Sequence, residues 1–500
     1  MSISVFTLTA LCAALYYTIA IAYNLLINPL RHIPGPKLYA ISHLPILRRN
    51  INGTWCLYVS KLHEKYGPVI RVSPNEVLFI SPSAWNTIWR SKGTRSFEKD
   101  PLNYPPTLTG VDNMLIANSK AHLRMRRALN PAFTDGAILE QERDIQKFTN
   151  SLVSKLKQKA ASGTPIDMQQ WFSLYTFDLV GKLLYSRPFG CLQSEEHHPY
   201  VAMIYDLITM VPYLSIFSRL TVFQLLIKGW NMDGLTWLAR YFIPKKTYNA
   251  FKELLMFTFY ATKESVHRRD TRRRDWISYF LRNNGESTMS VDELGETSAI
   301  LFIAGSESVA STVTSTLWFL MQNPISYQTL VEEIRTSFRD ESEITITALK
   351  KLPYLTAVLE ETMRLRHPTP PGFARTVPKD GAYIDGYFIP ENTKVSINSM
   401  AANTSPLHFN HPHKYAPERW LRYPGFENDQ LVASQPFYAG PRDCIGKGLA
   451  WAEMRVLISK FFWNFDVELL PESSGWDQQK VYIIWEKKPL WVKLAPVKKG

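Results

Sequence analysis

A single cysteine near the C-terminus lies in a segment that could activate its thiol. Residues 437–446 read FYAGPRDCIG and contain Cys444. Glycine allows close backbone approach and unusual φ angles, and Pro441 stiffens the loop. Backbone N–H groups of such a loop can point at the sulfur, and a helix predicted over residues 447–462 favours negative charge at its N-terminal end. These residues predict an activated or metal-ligating cysteine, with an inert buried thiol as the alternative.

A polar notch interrupts a long apolar segment in the middle of the chain. Residues 294–321 are long enough to cross a bilayer as a helix, yet they contain Glu296, Ser306, Glu307 and Ser308. Polar side chains in a buried helix are costly unless they are paired or used. We therefore predict a core helix with a polar notch, and not a second membrane span.

Two further segments place charged residues at helical spacing. Glu361 and Arg364 are three residues apart and share one face of a predicted helix, so the carboxylate and the guanidinium can pair. His122 and Arg126 are four residues apart on another predicted helix and face the same way. The spacing therefore predicts one ion pair and one pair of basic side chains that point in a common direction.

Taken together, these segments resemble the cytochrome P-450 superfamily of heme-thiolate monooxygenases. The loop matches the heme-binding signature FxxGxRxCxG through Phe437, Gly440, Arg442, Cys444 and Gly446. Residues 361–364 match the family's ExxR motif, residues 417–420 match its PER segment, and residues 304–308 resemble AGx(D/E)T. The order and spacing of the motifs agree along the whole chain, and residues 73–145 resemble fungal microsomal members of secondary metabolism. This joint match decides against an inert thiol.

The resemblance implies a fold and a cofactor. The fold would be mainly α with small β-sheets, with a single heme domain over residues 31–500 behind an N-terminal transmembrane helix. The cofactor would be heme b, with Cys444 as the axial thiolate and metal ligand. Phe437 would pack beside the sulfur, and Gly440 belongs to the same cofactor-binding loop. Four basic residues match the family's contacts to the heme propionates: His122, Arg126, Arg375 and Arg442. Arg419 of the PER segment would complete the network of Glu361 and Arg364.

Glu307 and Ser308 match the family's acid and alcohol, which implies a catalytic role in proton delivery. The carboxylate would relay protons from solvent, and the hydroxyl would hold a water molecule. The family usually has threonine where Ser308 stands, and serine lacks the methyl group that restricts χ1. We therefore predict that the Ser308 hydroxyl turns back to the carbonyl of Ala304, one helical turn earlier.

The N-terminus predicts a membrane anchor. No charged side chain occurs before Arg31, and residues 5–27 are predominantly apolar, which is long enough to span a bilayer. Positive residues follow at once, and positive residues tend to stay cytosolic. We predict a single-pass anchor over residues 1–30, a proline-rich hinge over residues 31–37, and an endoplasmic reticulum location with the catalytic domain in the cytosol. A cleaved signal peptide is the alternative.

Composition argues against several other classes of protein. The chain has 500 residues, a net charge of +13 and 45% hydrophobic residues, unlike a disordered, collagen-like or coiled-coil chain. Its four cysteines include no CxxC pair, so neither a disulfide framework nor a structural zinc site is expected. The basic run 267–274 has no accompanying nucleic-acid motif, so no nucleic-acid partner is expected. His408, His411 and His413 lack a further residue spaced to complete a metal site.

The resemblance also implies partners. Lys120, Arg124, Arg127 and Lys447 would form a basic face for an acidic NADPH–cytochrome reductase, with cytochrome b5 as a further candidate. A small lipophilic substrate would contact residues 101–116, 204–223, 300–308, 370–374 and 482–485. The apolar residues in or beside these segments include Met203, Met210, Phe217, Phe302, Phe373 and Ile483. An apolar pocket with few polar groups suits such a substrate, although these residues could equally belong to the core.

Three functions are compatible with these residues. The first is a monooxygenase that inserts one oxygen atom from O2 into a terpenoid, polyketide or alkaloid. The second is a heme-thiolate isomerase or lyase that does not consume NADPH, and such relatives often lose the acid and the alcohol that this chain keeps. The third is a non-catalytic heme protein, which would need neither the notch nor the basic face. We therefore favour the monooxygenase.

Overall fold

The computed structural model of the protein describes residues 5–91, 93, 96–100, 107, 110–196, 198, 245–268, 275–282 and 289–497. The predicted substrate segment 204–223 lies outside the described residues, as do Met203, Met210 and Phe217. The same holds for residues 101–106, 108 and 109 of the substrate segment 101–116, and for residues 269–274 of the basic run.

Helices dominate the described chain. They are α1 Val5–Ala22, α2 Lys37–Ile41, α3 Leu44–Ile51, α4 Trp55–Tyr66, α5 Pro82–Ala84, α6 Ser119–Leu129, α7 Asp135–Ala161, α8 Met168–Tyr185, α9 Cys191–Ser194, α10 Lys245–Arg268, α11 Trp276–Arg282, α12 Val291–Gln322, α13 Pro324–Ser337, α14 Ile346–Leu349, α15 Pro353–Leu365, α16 Ser399–Asn403 and α17 Lys447–Asn464. The helices predicted at 294–321 and 447–462 are confirmed, and each lies within a longer observed helix.

The strands are short and form small sheets beside the helices. They are β1 Val69–Ser73, β2 Glu76–Phe79, β3 Glu98–Lys99, β4 Ile166–Asp167, β5 Arg375–Thr376, β6 Ala382–Ile384, β7 Tyr387–Ile389, β8 Lys394–Ile397, β9 Phe465–Leu469 and β10 Trp491–Pro496. One sheet has the order β1-β2-β8-β5-β3, a second has β4-β10-β9, and β6 pairs with β7. A mainly α fold with small sheets is therefore confirmed. The antiparallel register of β3 and β5 sets Lys99 opposite Arg375.

The central helix α12 runs through the core and carries the polar notch. Its N-terminus is fixed by a capping box, in which the Ser290 side chain accepts from the Glu293 N–H and the Glu293 carboxylate accepts from the Ser290 N–H. Helix α8 packs against α12 so closely that a Cβ at Gly305 would lie 3.1 Å from Val180 Cγ2. Packing of this kind holds the notch residues at a fixed depth within the protein.

The two long apolar helices, α1 and α12, differ in how far their side chains are exposed. Helix α12 has the length and composition of a membrane span, but 67% of its apolar window is buried inside the protein. This agrees with the prediction of a core helix. Helix α1, by contrast, exposes apolar side chains along its length, including Leu11 and Leu15. Its exposure fits the predicted anchor, which is taken up below as a proposal.

Candidate active site

The loop around Cys444 is shaped by backbone contacts. The Phe437 carbonyl accepts a hydrogen bond of 2.9 Å from the Cys444 N–H, which closes the loop on itself. Gly440 has φ +74°, and a Cβ there would lie 2.0 Å from the carbonyl oxygen of Trp89. Only glycine permits both that conformation and that approach. The signature glycine thus seats the cysteine loop on the helical turn Trp85–Trp89.

The sulfur of Cys444 lies where helix α17 begins. Burial raises the pKa of the Cys444 thiol, while the Gly446 N–H, Arg126 and Lys447 act to lower it. A Cβ at Gly446 would come within 3.9 Å of the sulfur, so the backbone approaches this side of the thiol closely. The side chain is nevertheless exposed on its other side. This donor fits an axial ligand, because a bound metal ion deprotonates a thiol that the protein alone keeps neutral.

A cluster of basic side chains surrounds His122. Burial, followed in order by the charges of Arg442, Lys99, Arg126 and Arg375, lowers the pKa of His122 to about 3. The histidine is buried, so at neutral pH it is a neutral member of a strongly positive group. Such a cluster fits an anionic cofactor, because the two carboxylates of a heme can accept hydrogen bonds from guanidinium groups. The structure therefore brings together the four predicted basic residues.

Neighbouring groups orient two of these arginines. Arg442 donates to the carbonyl of Ala117 at 2.9 Å and lies 3.4 Å from Glu98. The guanidinium of Arg375 stacks over the ring of Trp89 at 4.2 Å. Both residues are thereby oriented from the sheet and the cysteine loop toward His122.

Arg126 is directed at the cysteine loop itself. Its guanidinium donates to the Asp443 carbonyl at 2.6 Å and to the Asp443 carboxylate at 2.9 Å, and its Nε donates to Asn130 at 2.9 Å. Arg126 therefore braces the residue before the cysteine. Its predicted contact with a propionate stays a prediction.

Lys99 was not found by sequence reasoning. Burial lowers its pKa well below the ordinary value, and Arg375 and Arg442 lower it further. It reaches the cluster only because β3 pairs with β5, and its local sequence carries no signal of that pairing.

The notch residues occupy the same helix but have different partners. The Ser308 hydroxyl donates to the Ala304 carbonyl at 2.7 Å, which confirms the predicted turn back along the helix. The Glu307 side chain is buried, and its Oε2 lies 2.5 Å from Lys487 Nζ. Ala304 is exposed although α12 is otherwise largely buried, so the helix is accessible at this position beside the notch. Lys487 is a second residue that sequence reasoning missed.

The predicted ion pair is the centre of a buried network. Glu361 accepts from Arg364 at 2.7 Å on both carboxylate oxygens, and Arg419 Nε donates to it at 3.0 Å. All three side chains are fully buried. Arg364 and Arg419 also donate to the carbonyl of Lys414, at 3.1 and 3.3 Å. Arg419 thus completes the network as predicted, and the network fixes the chain that leads toward the cysteine loop.

One residue of the predicted basic face, Arg124, has an acidic partner within the protein. Arg124 is paired with Glu293 through contacts of 2.5 and 2.9 Å, so its charge is compensated at the start of α12. Lys120, Arg127 and Lys447 are exposed. Lys447 also lines a groove of about 360 Å³. The other residues that line this groove include Asp135, Lys350, Trp451 and Arg455.

Two other predicted positions lie in ordinary packing. Phe302 is fully buried, and its ring packs 4.7 Å from Phe177. It therefore belongs to the core, the alternative that the sequence left open for the substrate-segment residues. His408 is buried, and its ring lies 3.0 Å from the Ala402 carbonyl through Nδ1. Over the described ranges, no group of three or more metal-ligating side chains occurs.

The chain belongs to the cytochrome P-450 family, whose family model matches residues 33–494. It is 37% identical to the cytochrome P-450 monooxygenase astJ of Aspergillus oryzae, over 95% of this chain and 93% of the relative. It is 37% identical to the cytochrome P-450 monooxygenase lnbC of Aspergillus flavus, over 98% and 96%. It is 35% identical to the averantin hydroxylase of Dothistroma septosporum, over 97% and 90%. The chain is thus an oxidoreductase of a heme-thiolate family with relatives among fungal monooxygenases.

Proposed function

We propose that this monooxygenase inserts one oxygen atom from O2 into a lipophilic secondary metabolite of terpenoid, polyketide or alkaloid type. Electrons would come from NADPH through a reductase. The observation that carries the proposal is the pairing of a cysteine loop with a polar notch. The loop offers one sulfur beside a basic cluster, and the notch of α12 offers a carboxylic acid and a hydroxyl next to the exposed Ala304.

Each residue of the site has a defined task in this proposal. A heme held by a cysteine thiolate supplies the activation of O2. Cys444 would donate the thiolate, and the cations around His122 would bind the carboxylates of the cofactor. The Glu307 carboxylate would take a proton from solvent and pass it on through the Ser308 hydroxyl. Ser308 must first release the Ala304 carbonyl, because its one hydroxyl proton is held there at 2.7 Å.

The reductase would dock on the groove beside the start of α17. Lys350, Lys447 and Arg455 line this groove with a single carboxylate, Asp135. A positive groove attracts an acidic partner and raises the rate of encounter at low salt. Arg124 is not part of this surface in the proposal, because Glu293 compensates its charge.

The membrane arrangement follows from the N-terminus. We propose that residues 1–30 anchor the chain in the endoplasmic reticulum, that residues 31–37 form the hinge, and that residues 31–500 form the cytosolic domain. The exposed apolar side chains of α1 and the positive residues Arg31 and Lys37 support this orientation.

Comparative metabolite mass spectrometry on a strain lacking this protein and on its parent tests the proposed reaction. We expect the mutant to accumulate a compound one oxygen atom lighter than the product it loses. An accumulated compound of the same mass as the lost product would refute oxygen insertion and favour an isomerase.

A further inference from the structure

The chain that follows helix α1 is held against the first sheet by a buried arginine. Arg71 lies in the middle of β1, and its side chain is almost wholly buried. Its guanidinium donates to the Asn24 carbonyl at 3.0 Å and to the Asn24 side-chain oxygen at 3.3 Å. It also donates at 2.9 Å to the carbonyl of Pro74, in the turn between β1 and β2. Asn24 belongs to the helical turn Tyr23–Ile27 that continues α1, so Arg71 joins the end of the proposed anchor to the catalytic domain.

A second polar side chain strengthens the same junction. The Asn28 side chain is buried, and its amide group donates to the Asn24 side chain at 3.0 Å and to the Pro74 carbonyl at 3.3 Å. Its side-chain oxygen accepts a hydrogen bond of 2.8 Å from the Leu30 N–H. Leu30 and Ile33 are buried in the apolar cluster that also contains residues of β1. The chain is therefore fixed from the end of the anchor to the proline-rich segment.

The proline-rich segment is fixed by the backbone of the same arginine. The Pro34 carbonyl accepts a hydrogen bond of 2.8 Å from the Arg71 N–H. A Cβ at Gly35 would lie 2.3 Å from the Arg71 carbonyl oxygen, so a residue larger than glycine cannot follow this path. Arg71 thus contacts residues 31–37 through its backbone and the end of the anchor through its side chain. A segment held in this way does not act as a free swivel.

We propose that Arg71 is a positioning residue that sets the angle between the membrane anchor and the catalytic domain. Its guanidinium is a rigid planar fork, and it holds two oxygens of Asn24 and the carbonyl of Pro74 at once. The anchor therefore leaves the domain in one direction, and the domain keeps one orientation toward the bilayer. This inference rests on the proposed anchor over residues 1–30.

A fixed orientation matters for a reductase that is held in the same membrane. The proposed docking groove beside α17 stays at a constant height above the bilayer only if the domain does not turn on its anchor. A domain that turned freely would present the groove to the lipid for part of the time. Arg71 therefore keeps the groove open to the partner, although it lies outside the groove itself.

The test measures the distance between the anchor and the domain in the full-length protein, loaded with heme and placed in phosphatidylcholine nanodiscs. One spin label is attached in detergent to Cys12, which is exposed on α1. The second is attached to the thiol introduced by Lys61→Cys at an exposed position of α4. The remaining cysteines do not react, because Cys56 and Cys191 are buried and Cys444 binds the heme. Double electron–electron resonance then gives the distribution of distances between the labels.

The anchor is long enough for a change of angle to be visible. At 1.5 Å per residue, the helix from Cys12 to Asn24 is about 18 Å long, so a swing of about 20° moves the label by about 6 Å. We expect one narrow distribution in the parent protein and a distribution at least twice as wide in Arg71→Met. Asn24→Leu removes the side-chain acceptor of Arg71 and leaves the domain unchanged, so it should broaden the distribution to a smaller extent.

Arg335→Met is the matched control. Arg335 is also an arginine that donates to backbone carbonyls, those of Phe462 at 2.9 Å and Phe465 at 3.2 Å. These acceptors belong to α17 and β9 and not to the anchor. Arg335→Met should therefore lower the stability of the domain and leave the distance distribution unchanged.

Vesicle flotation separates the role of Arg71 from that of the anchor itself. All variants should float with phosphatidylcholine vesicles, and if the parent protein does not float, the proposed anchor fails. If the proteins float, a broad distribution in the parent, an unchanged one in Arg71→Met, or equal broadening in Arg335→Met overturns the role of Arg71. If Arg71→Met does not retain heme, Asn24→Leu decides, and an unchanged distribution in that variant overturns the proposal.

Discussion

The buried network around Glu361 gives a sharp prediction about stability. The Glu361 carboxylate accepts hydrogen bonds from Arg364 and Arg419, from the Trp420 indole at 3.0 Å and from the Ala416 N–H at 2.9 Å. Arg419 also pairs with the buried carboxylate of Asp429. The network thus holds two guanidinium groups and two carboxylates, and it is neutral as a whole. Glu361→Gln keeps the shape of the side chain but leaves two cations facing one anion.

The expected cost follows from the burial of that charge. Removal of one partner from a buried ion pair typically costs about 3–5 kcal/mol, because the remaining charge stays desolvated. We expect a loss in this range for Glu361→Gln, which is a large part of the roughly 5–15 kcal/mol that stabilises a typical domain. The assay is urea unfolding of the detergent-solubilised full chain, followed by tryptophan fluorescence and by the heme absorption band.

Glu360→Gln is the matched control, since it makes the same change one residue earlier on the same helix. Burial raises the pKa of Glu360 to about 7, with Lys447 and Arg455 acting to lower it. Ionisation of Glu360 is therefore already unfavourable in the fold, and its replacement should be neutral or slightly stabilising. An ordinary hydrogen bond contributes about 1 kcal/mol to stability. If the unfolding free energies of Glu361→Gln and Glu360→Gln differ by no more than that, the reasoning on buried charge is refuted.

The pH dependence has a definite sign. Burial acts to raise the pKa of Glu361, but Arg364 and Arg419 outweigh burial and hold it below the ordinary value. A carboxylate with a lowered pKa in the fold stabilises above its unfolded pKa of about 4.3, and that contribution is lost as the pH falls further. The difference in stability between the unchanged protein and Glu361→Gln should be constant near neutral pH and shrink below about pH 4.

Three further predictions concern single positions. Gly440→Ala should lose more stability and more heme than Gly425→Ala. Both glycines have a positive φ, but only at Gly440 would the Cβ meet backbone, 2.0 Å from the Trp89 carbonyl oxygen. Equal losses of unfolding free energy in urea would count against this contact of the cysteine loop. Ser308→Ala should release more peroxide per NADPH consumed in a reconstituted assay. Ser306→Ala should not, because the Ser306 hydroxyl donates to the Phe302 carbonyl at 2.9 Å. An unchanged peroxide yield in Ser308→Ala contradicts the relay. Burial raises the pKa of Glu453 to about 8, so its carboxyl costs stability increasingly as the pH rises above its unfolded pKa. The unfolding free energy of Glu453→Gln should therefore rise relative to that of the unchanged protein by on the order of 1 kcal/mol per pH unit between about pH 5 and 8. A difference in unfolding free energy that stays constant over this range would exclude the effect.

Local geometry explains which features could be predicted from the sequence. The Ser308 bond to Ala304 follows from the helical repeat alone, since residues four apart lie one turn from each other. The pairing of Glu361 with Arg364 follows for the same reason. The cysteine loop could be recognised because its glycines and its cysteine stand in one short run. Each of these features depends only on neighbours in the chain.

Contacts between distant segments could not be predicted in this way. Lys487 reaches Glu307 only through the path of the last loop, and Lys99 reaches the basic cluster only through a two-residue strand. Arg124 and Arg126 show the same limit on a single helix. The spacing predicts the direction of Arg126, and the resemblance places Arg124 on a basic face, but the carboxylates that receive them, Glu293 and Asp443, come from other elements. Periodicity gives the direction of a side chain and not its partner.

The basic cluster connects the cofactor to the stability of the fold. Burial, followed by the charges of Arg442, Lys99, Arg126 and Arg375, lowers the pKa of His122 to about 3, so the histidine is neutral at pH 7. Like charges held together in this way oppose folding, and an anionic group bound among them removes that cost. A ligand that binds only the folded chain stabilises it in proportion to its affinity. We therefore expect a bound dicarboxylate to stabilise the part of the fold around His122, whereas the neutral Glu361 network stabilises the protein without any ligand.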